Sequence, residues 1–220
     1  MSDKKTALVI SAHSADFVWR AGGAIALHQS KGYDVTVVCL SYGERGESAK
    51  LWKQEGMTLD KVKTERRKEA ENAAAALGIN DIRFLDRGDY PLDLGRETVD
   101  MMVDIIRDVQ PKFMFSHSKW DPYNTDHMRT TDFALEARMV AQAWGHNPGQ
   151  KVLGAPHKVH QLALLIRPVD LVHQNLHCRL GHNRLVVALL TPVPLVHDET
   201  VSSKFVRFVP TLLYSLRIAV

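Results

Sequence analysis

Apolar residues fall along this chain in short runs that alternate with longer stretches of helical period. Thr6–Ser11 (TALVIS), Asp34–Leu40 (DVTVVCL), Ile82–Leu85 and Lys112–Ser116 (KFMFS) are brief and nearly continuous, the pattern of buried strands. Val18–Lys31, Thr58–Leu77, Gly95–Val109 and Asp126–Trp144 have helical character. In the third of these, Val99, Met102, Val103 and Ile106 form one apolar stripe. Gly32, Gly78 and Gly145 end three of the helices, Thr58 or Asp60 caps the second, and Pro111 introduces the last strand. Ser41–Met57 is charged and contains glycines, and reads as a loop that orders on a ligand. Strand and helix alternate with crossovers long enough for parallel pairing. The expected fold is α/β, a doubly wound, mostly parallel sheet with helices on both faces.

Composition narrows the class without changing it. At 220 residues, 45% apolar and 24% charged, the chain is long enough for a full core and excludes a disordered, collagen-like or coiled-coil protein. No uncharged apolar stretch reaches the length of a spanning helix. The start, MSDKKTALVISAH, reads as a first strand rather than a signal peptide. Cys39 and Cys178 form no metal or redox motif, which suits a reducing, cytoplasmic setting. A net charge of +3 is too small to argue for nucleic acid. Trp19, Trp52 and Trp144 read as core or lid packing.

Ligands of such sheets bind beyond the carboxyl ends of the strands. The first strand runs into His13 and Asp16, and the second into Glu44, Arg45 and Glu47. The third runs toward Asp86 and Asp89, and the fourth into His117, Asp121, Asp126 and His127. The absence of a Gly-x-Gly-x-x-Gly turn, a Walker loop and a Gly-x-Ser-x-Gly elbow argues against dinucleotide, nucleoside triphosphate and serine-hydrolase chemistry. His13, Asp16 and His127 make a candidate two-histidine, one-carboxylate set, which suits zinc with one position open. The same residues also read as a polar strand end, a helix cap at Asp16 and a first-turn histidine, and spacing alone leaves both readings open.

Four segments in order, SAHSADFVWRAGGAIA, VTVVCLSYGERGES, TERRKEAENAAAALGI and DPYNTDH, resemble the PIG-L/LmbE-like family over residues 1–156. The resemblance implies a Rossmann-like sheet and one zinc ion, as in the N-acetylglucosaminyl deacetylases that are its best known members. Where the family opens Ala-His-Pro-Asp-Asp-Glu, this chain has Ala12-His13-Ser14-Ala15-Asp16-Phe17. The family's metal histidine and aspartate fall on His13 and Asp16, and its paired glycines on Gly22 and Gly23. Its later Asp-His pair falls on Asp126-His127, which makes His127 the third ligand and Asp126 a supporting group.

The departures set the expected chemistry. In the deacetylases the first aspartate of the Asp-Asp pair is the general base, and Ala15 stands there in this chain. Losing a general base typically costs about 10²–10⁴-fold, so amide hydrolysis by the usual route is not expected. The AHSADF and SYGERGES segments instead resemble the family's 4-oxalomesaconate (4-carboxy-2-hydroxymuconate) hydratase branch. That branch adds water to a carbon–carbon double bond of a tricarboxylate during bacterial gallate and protocatechuate breakdown. The rival readings are a zinc deacetylase with a substitute base and an inactive chain.

On the hydratase reading, Glu47 is the first choice of acid/base and Glu44 the second, though Glu44 also reads as a loop-orienting residue. Arg45, Arg66 and Arg20 are candidate carboxylate binders through the guanidinium fork. His117 is a candidate hydrogen-bonding partner of substrate or of a metal ligand, while Asp121 and Tyr123 read as shaping their loop. The partner implied is a small tricarboxylate, with neither nucleic acid nor membrane, and a homo-oligomer fits equally.

The resemblance stops after Gly154-Ala155-Pro156. The family usually continues there into an aromatic-rich strand with a Glu-Pro-His element, and this chain has His157-Lys158-Val159-His160. Residues 1–150 hold 22 acidic and 20 basic residues, and residues 151–220 hold 3 and 8, with 6 of the 11 histidines. Residues 1–156 are therefore read as the catalytic domain. Residues 157–220 are read as a buried subregion, a membrane-surface segment or a frameshifted, non-native translation.

Overall fold

The protein is described by a computed structural model over residues 5–153 and a strand at His160–Leu164. Its elements are β1 (Thr6–Ser11), α1 (Asp16–Ser30), β2 (Asp34–Cys39), α2 (Ala49–Trp52), α3 (Leu59–Ala76), β3 (Asp81–Phe84), α4 (Arg96–Val109), β4 (Phe113–Ser116), α5 (Thr125–Ala141) and β5 (His160–Leu164). The strands pair in parallel in the order β3-β2-β1-β4-β5. The chain starts at the sheet centre, winds outward to β3, then returns across β1 to β4. The switch point of this doubly wound sheet lies between β1 and β4, where a crevice opens at the strand ends.

Alternation along β1 divides the core. Leu8 and Ile10 face Val99, Met102, Val103 and Ile106 of α4 and Phe133, Ala134 and Ala137 of α5. Ala7 and Val9 face Phe17, Ala21 and Ile25 of α1 and Ala70 and Ala74 of α3. The α4 stripe is the one anticipated from its period, and burying each of its larger side chains contributes about 1.5–3 kcal/mol. Thr58 caps α3 by accepting the Lys61 N–H at 3.4 Å.

Several boundaries differ from expectation for tertiary reasons. The segment after β2 is an ordered turn containing the short helix α2. Its backbone is tied down by Asp89, which accepts the Arg45 N–H at 3.0 Å and the Gly46 N–H at 2.7 Å. α5 stops at Ala141, short of Trp144, where the Arg107 guanidinium takes over its end. Arg107 is buried and donates to the carbonyls of Ala141 (3.2 Å), Ala143 (2.9 Å) and His146 (2.7 Å). Arg107→Ala strands these acceptors and is expected to cost about 1–3 kcal/mol, read as a lower denaturant midpoint with an unchanged slope.

Trp19 and Trp144 are exposed rather than in the core, because each lies on the outer side of its segment. Trp52 is half-exposed and donates its indole N–H to the Glu44 carbonyl at 2.6 Å, pinning the loop from outside. No helix among the described residues is long and apolar enough to cross a membrane. β5 adds a strand inside the stretch read as lacking a period. Apart from that strand, the readings of residues 157–220 lie outside the described residues.

Candidate metal centre

Three strand ends and the first turn of α5 converge at the switch point. His13 follows β1 and is fully buried, and Asp16 opens α1. Asp16 is the first residue of the helix rather than its cap. Its Oδ2 turns back to accept the His13 backbone N–H at 3.1 Å and lies 3.1 Å from His13 Nδ1. That same oxygen is 3.3 Å from His127 Nε2. Glu47 reaches in from the loop after β2, with Oε1 at 3.2 Å from His13 Nδ1. One ligand-capable atom from each of His13, Asp16, Glu47 and His127 lies within 4.8 Å of all the others.

These groups suit a divalent cation. The Nε2 atoms of both His13 and His127 are buried without a hydrogen-bond partner among the described residues. A buried polar atom of that kind needs an explanation, and for His127 Nε2, which faces Asp16, a coordinated ion supplies one, whereas His13 meets the cluster through Nδ1 and turns its Nε2 toward Asp126. Burial alone would lower the His13 pKa, but the carboxylates of Asp126, Asp16 and Glu47 outweigh it and push the ring up to about 12. Burial would raise Asp16, yet His127 and His13 hold it well below the usual carboxylate range. A field that keeps a proton on a buried imidazole also favours a metal ion that displaces that proton. Two imidazoles and a carboxylate match the ligand preference of zinc.

The surrounding shell is built from residues whose roles sequence spacing did not reveal. Asp121 accepts from His127 Nδ1 at 2.8 Å, which leaves Nε2 as the lone-pair nitrogen facing Asp16. Asp121→Ala is expected to weaken zinc binding by about 10–100-fold, measured by competition with a chelator. Asp126 stands beside His13 rather than supporting His127, with Oδ2 at 3.5 Å from His13 Nε2. It is fully buried and accepts the backbone N–H groups of Tyr90 at 2.8 Å and Leu92 at 3.1 Å. The N-cap of α5 is Asn124, whose side chain accepts the Asp126 N–H.

His117 packs face to face on His127, with ring centroids 4.2 Å apart. Its Nε2 accepts the Ala12 N–H at 3.0 Å, and burial lowers its pKa to about 3, so it is a neutral spacer behind the cluster. Glu44 is buried and its Oε2 accepts the Tyr42 N–H at 3.1 Å, away from the four clustered groups. Burial, with Asp89 nearby, raises its pKa. Arg20 Nε donates to Asp16 Oδ1 at 3.2 Å, and its guanidinium is 3.7 Å from Asp121. Arg66 donates to Glu69 at 2.7 Å and lies 4.0 Å from Glu47. The Arg45 side chain is exposed.

Tyr90 was not singled out by the sequence. Its ring is parallel to that of His13, with centroids 5.5 Å apart. Gly46 is required beneath it, because a Cβ there would sit 1.8 Å from the ring. Tyr90 itself has φ +49°, a left-handed conformation that is strained for a bulky residue. Only the turn-like composition around it, Arg87-Gly88-Asp89-Tyr90-Pro91, hints at an unusual backbone.

Comparison with known proteins bears on this site. Residues 8–138 match the family described as PIG-L, GlcNAc-PI de-N-acetylase. The chain is 58% identical over 153 residues to a 4-oxalmesaconate hydratase of Pseudomonas putida, covering 70% of this chain and 59% of that protein. The crystal structure of GalB, the 4-carboxy-2-hydroxymuconate hydratase of Pseudomonas putida, aligns with a TM-score of 0.67 at 58% identity, over 69% of this chain and 63% of that one. An N,N'-diacetylchitobiose deacetylase from Pyrococcus horikoshii aligns with a TM-score of 0.66 at 25% identity, over 96% of this chain and 76% of that one. The chain thus spans less than two thirds of the length of these Pseudomonas putida relatives.

Proposed function

Because the chain belongs to the PIG-L family, we propose that it is a zinc-dependent hydratase of that family, a hydro-lyase acting on 4-carboxy-2-hydroxymuconate (4-oxalomesaconate). Its place would be gallate and protocatechuate breakdown in the cytoplasm, where the buried free thiol of Cys39 is at home. The catalytic unit of this reading is residues 1–156, with residues 157–220 outside it.

The observation that carries it is the arrangement of carboxyl groups. Position 15 offers a methyl group, while Glu47 comes to the cluster from the opposite loop, partly exposed and 3.2 Å from His13. The high identity to a hydratase supports the same conclusion. Zinc held by His13, Asp16 and His127 would supply Lewis acidity toward an oxygen of the substrate.

The chain's own residues do the rest. Glu47 accepts the proton that water loses as its oxygen bonds to one alkene carbon. The neighbouring carbon takes a proton back, so the carboxyl group ends as it began. Asp16 is held in place by Arg20, and Asp121 fixes the tautomer of His127. Asp126 and Asp89 hold the two loops that carry Tyr90 and Glu47. Arg45 and Arg66 flank Glu47 and offer cationic partners to the substrate carboxylates.

The test is a paired assay on the purified zinc-loaded chain. Loss of the muconate absorbance without acetate release from an N-acetylglucosaminide is expected. Acetate release without hydration would select the deacetylase reading instead. Neither reaction, in a protein holding about one zinc per chain, would sink both.

A further inference from the structure

We propose that Tyr90 is a substrate-binding residue of this site, its phenol hydrogen donated to a carboxylate oxygen of the tricarboxylate. The assignment rests on the hydratase reading above and adds a contact that the sequence did not suggest.

Three observations carry it. The first is direction. Asn124 Oδ1 accepts the Asp126 N–H at 3.1 Å, so its Nδ2 is the donating end of the amide. That Nδ2 lies 2.9 Å from the Tyr90 hydroxyl, so the phenol oxygen is the acceptor of that bond. Its own hydrogen is left to donate, and no acceptor for it occurs among the described residues.

The second is place. The ring lies flat over His13, and about half of the residue is exposed, with the hydroxyl at the rim beside the first turn of α5.

The third is the effort spent in holding it there. Tyr90 keeps a positive φ, its N–H is bound by the buried Asp126, and glycine at position 46 makes room for the ring. A residue that merely filled space on an exposed rim would need none of these. Strain retained beside a cluster of chemically active groups is the usual mark of a binding role.

Tyr90→Phe in the full zinc-loaded chain separates the hydroxyl from the ring. The phenylalanine keeps the packing on His13 and Gly46, so zinc per chain should match the unaltered protein. KM for the muconate is expected to rise about 10–100-fold, the value of a hydrogen bond to a charged group, with the loss falling on KM rather than kcat. Competitive inhibition by propane-1,2,3-tricarboxylate, a stable probe, should weaken by a similar factor. Unchanged KM and inhibition would overturn the assignment while leaving the hydratase reading intact. A fall in kcat alone would also overturn it. An unaltered protein that neither hydrates the muconate nor binds the probe would overturn the hydratase reading, and this contact with it.

Discussion

Glu47→Gln is expected to lower kcat for hydration by about 10²–10⁴-fold while zinc stays bound. Glutamine has the shape of glutamate and preserves the approach to His13, but it cannot carry a proton between water and carbon. The other carboxyl groups nearby are committed elsewhere. Asp126 and Asp89 are buried on backbone N–H groups, Asp16 is shared by both histidines, and Asp121 is bound to His127. Glu44→Gln is the matched control, since Glu44 is buried on the Tyr42 N–H and should affect kcat far less. Near-normal turnover in Glu47→Gln would remove Glu47 from the acid/base role. Loss of zinc from it would make Glu47 a ligand instead.

The second large effect concerns His127. His127→Ala should reduce zinc from about one per chain to near zero and abolish hydration. Elemental analysis of the purified protein, together with a chelator-treated sample of the unaltered chain, provides the check. The physical ground is that Nε2 of His127 is buried, lacks a hydrogen-bond partner among the described residues, and faces the oxygen of Asp16. Without that ring, Asp16 and Asp121 both lose the imidazole that lies between them. Two ligands from one turn of chain cannot close a tetrahedral site alone. Zinc retained at about one per chain in the variant would exclude His127 as a ligand.

Much of the fold was legible because buried parallel strands and amphipathic helices leave different periods in the sequence. The stripe at Val99, Met102, Val103 and Ile106 and the runs at Thr6–Ser11 and Asp34–Cys39 are local patterns, and the structure places them as expected. α2 was not legible. Four residues carry no period, and the loop around them is shaped by Asp89 from another strand end. The end of α5 was misplaced because Arg107, on a different helix, satisfies its carbonyls.

The candidate site divides along the same line. His13 and Asp16 share one turn of chain, so their closeness follows from spacing. His127 was a candidate from its place near a strand end, and the resemblance of a whole ordered motif singled it out. Asp121, read as a loop-shaping residue, meets His127 across an irregular loop with no rule of spacing. Tyr90 and Asp126 meet through the backbone of a turn that only the folded sheet brings into place.

The position of the site at the β1–β4 boundary also sets a timetable. His13 is made well before His127 and Asp121, which follow β4, and β4 pairs with β1 only after both outer helices of the first half have been made. A nascent chain stalled before α5 presents an imidazole and a carboxylate but no closed cage. Metal capture therefore has to wait for long-range strand pairing, which loop-closure entropy makes slow. Ion uptake during synthesis or refolding would then serve as a clock for the docking of β4 and α5, later than the appearance of helical signal.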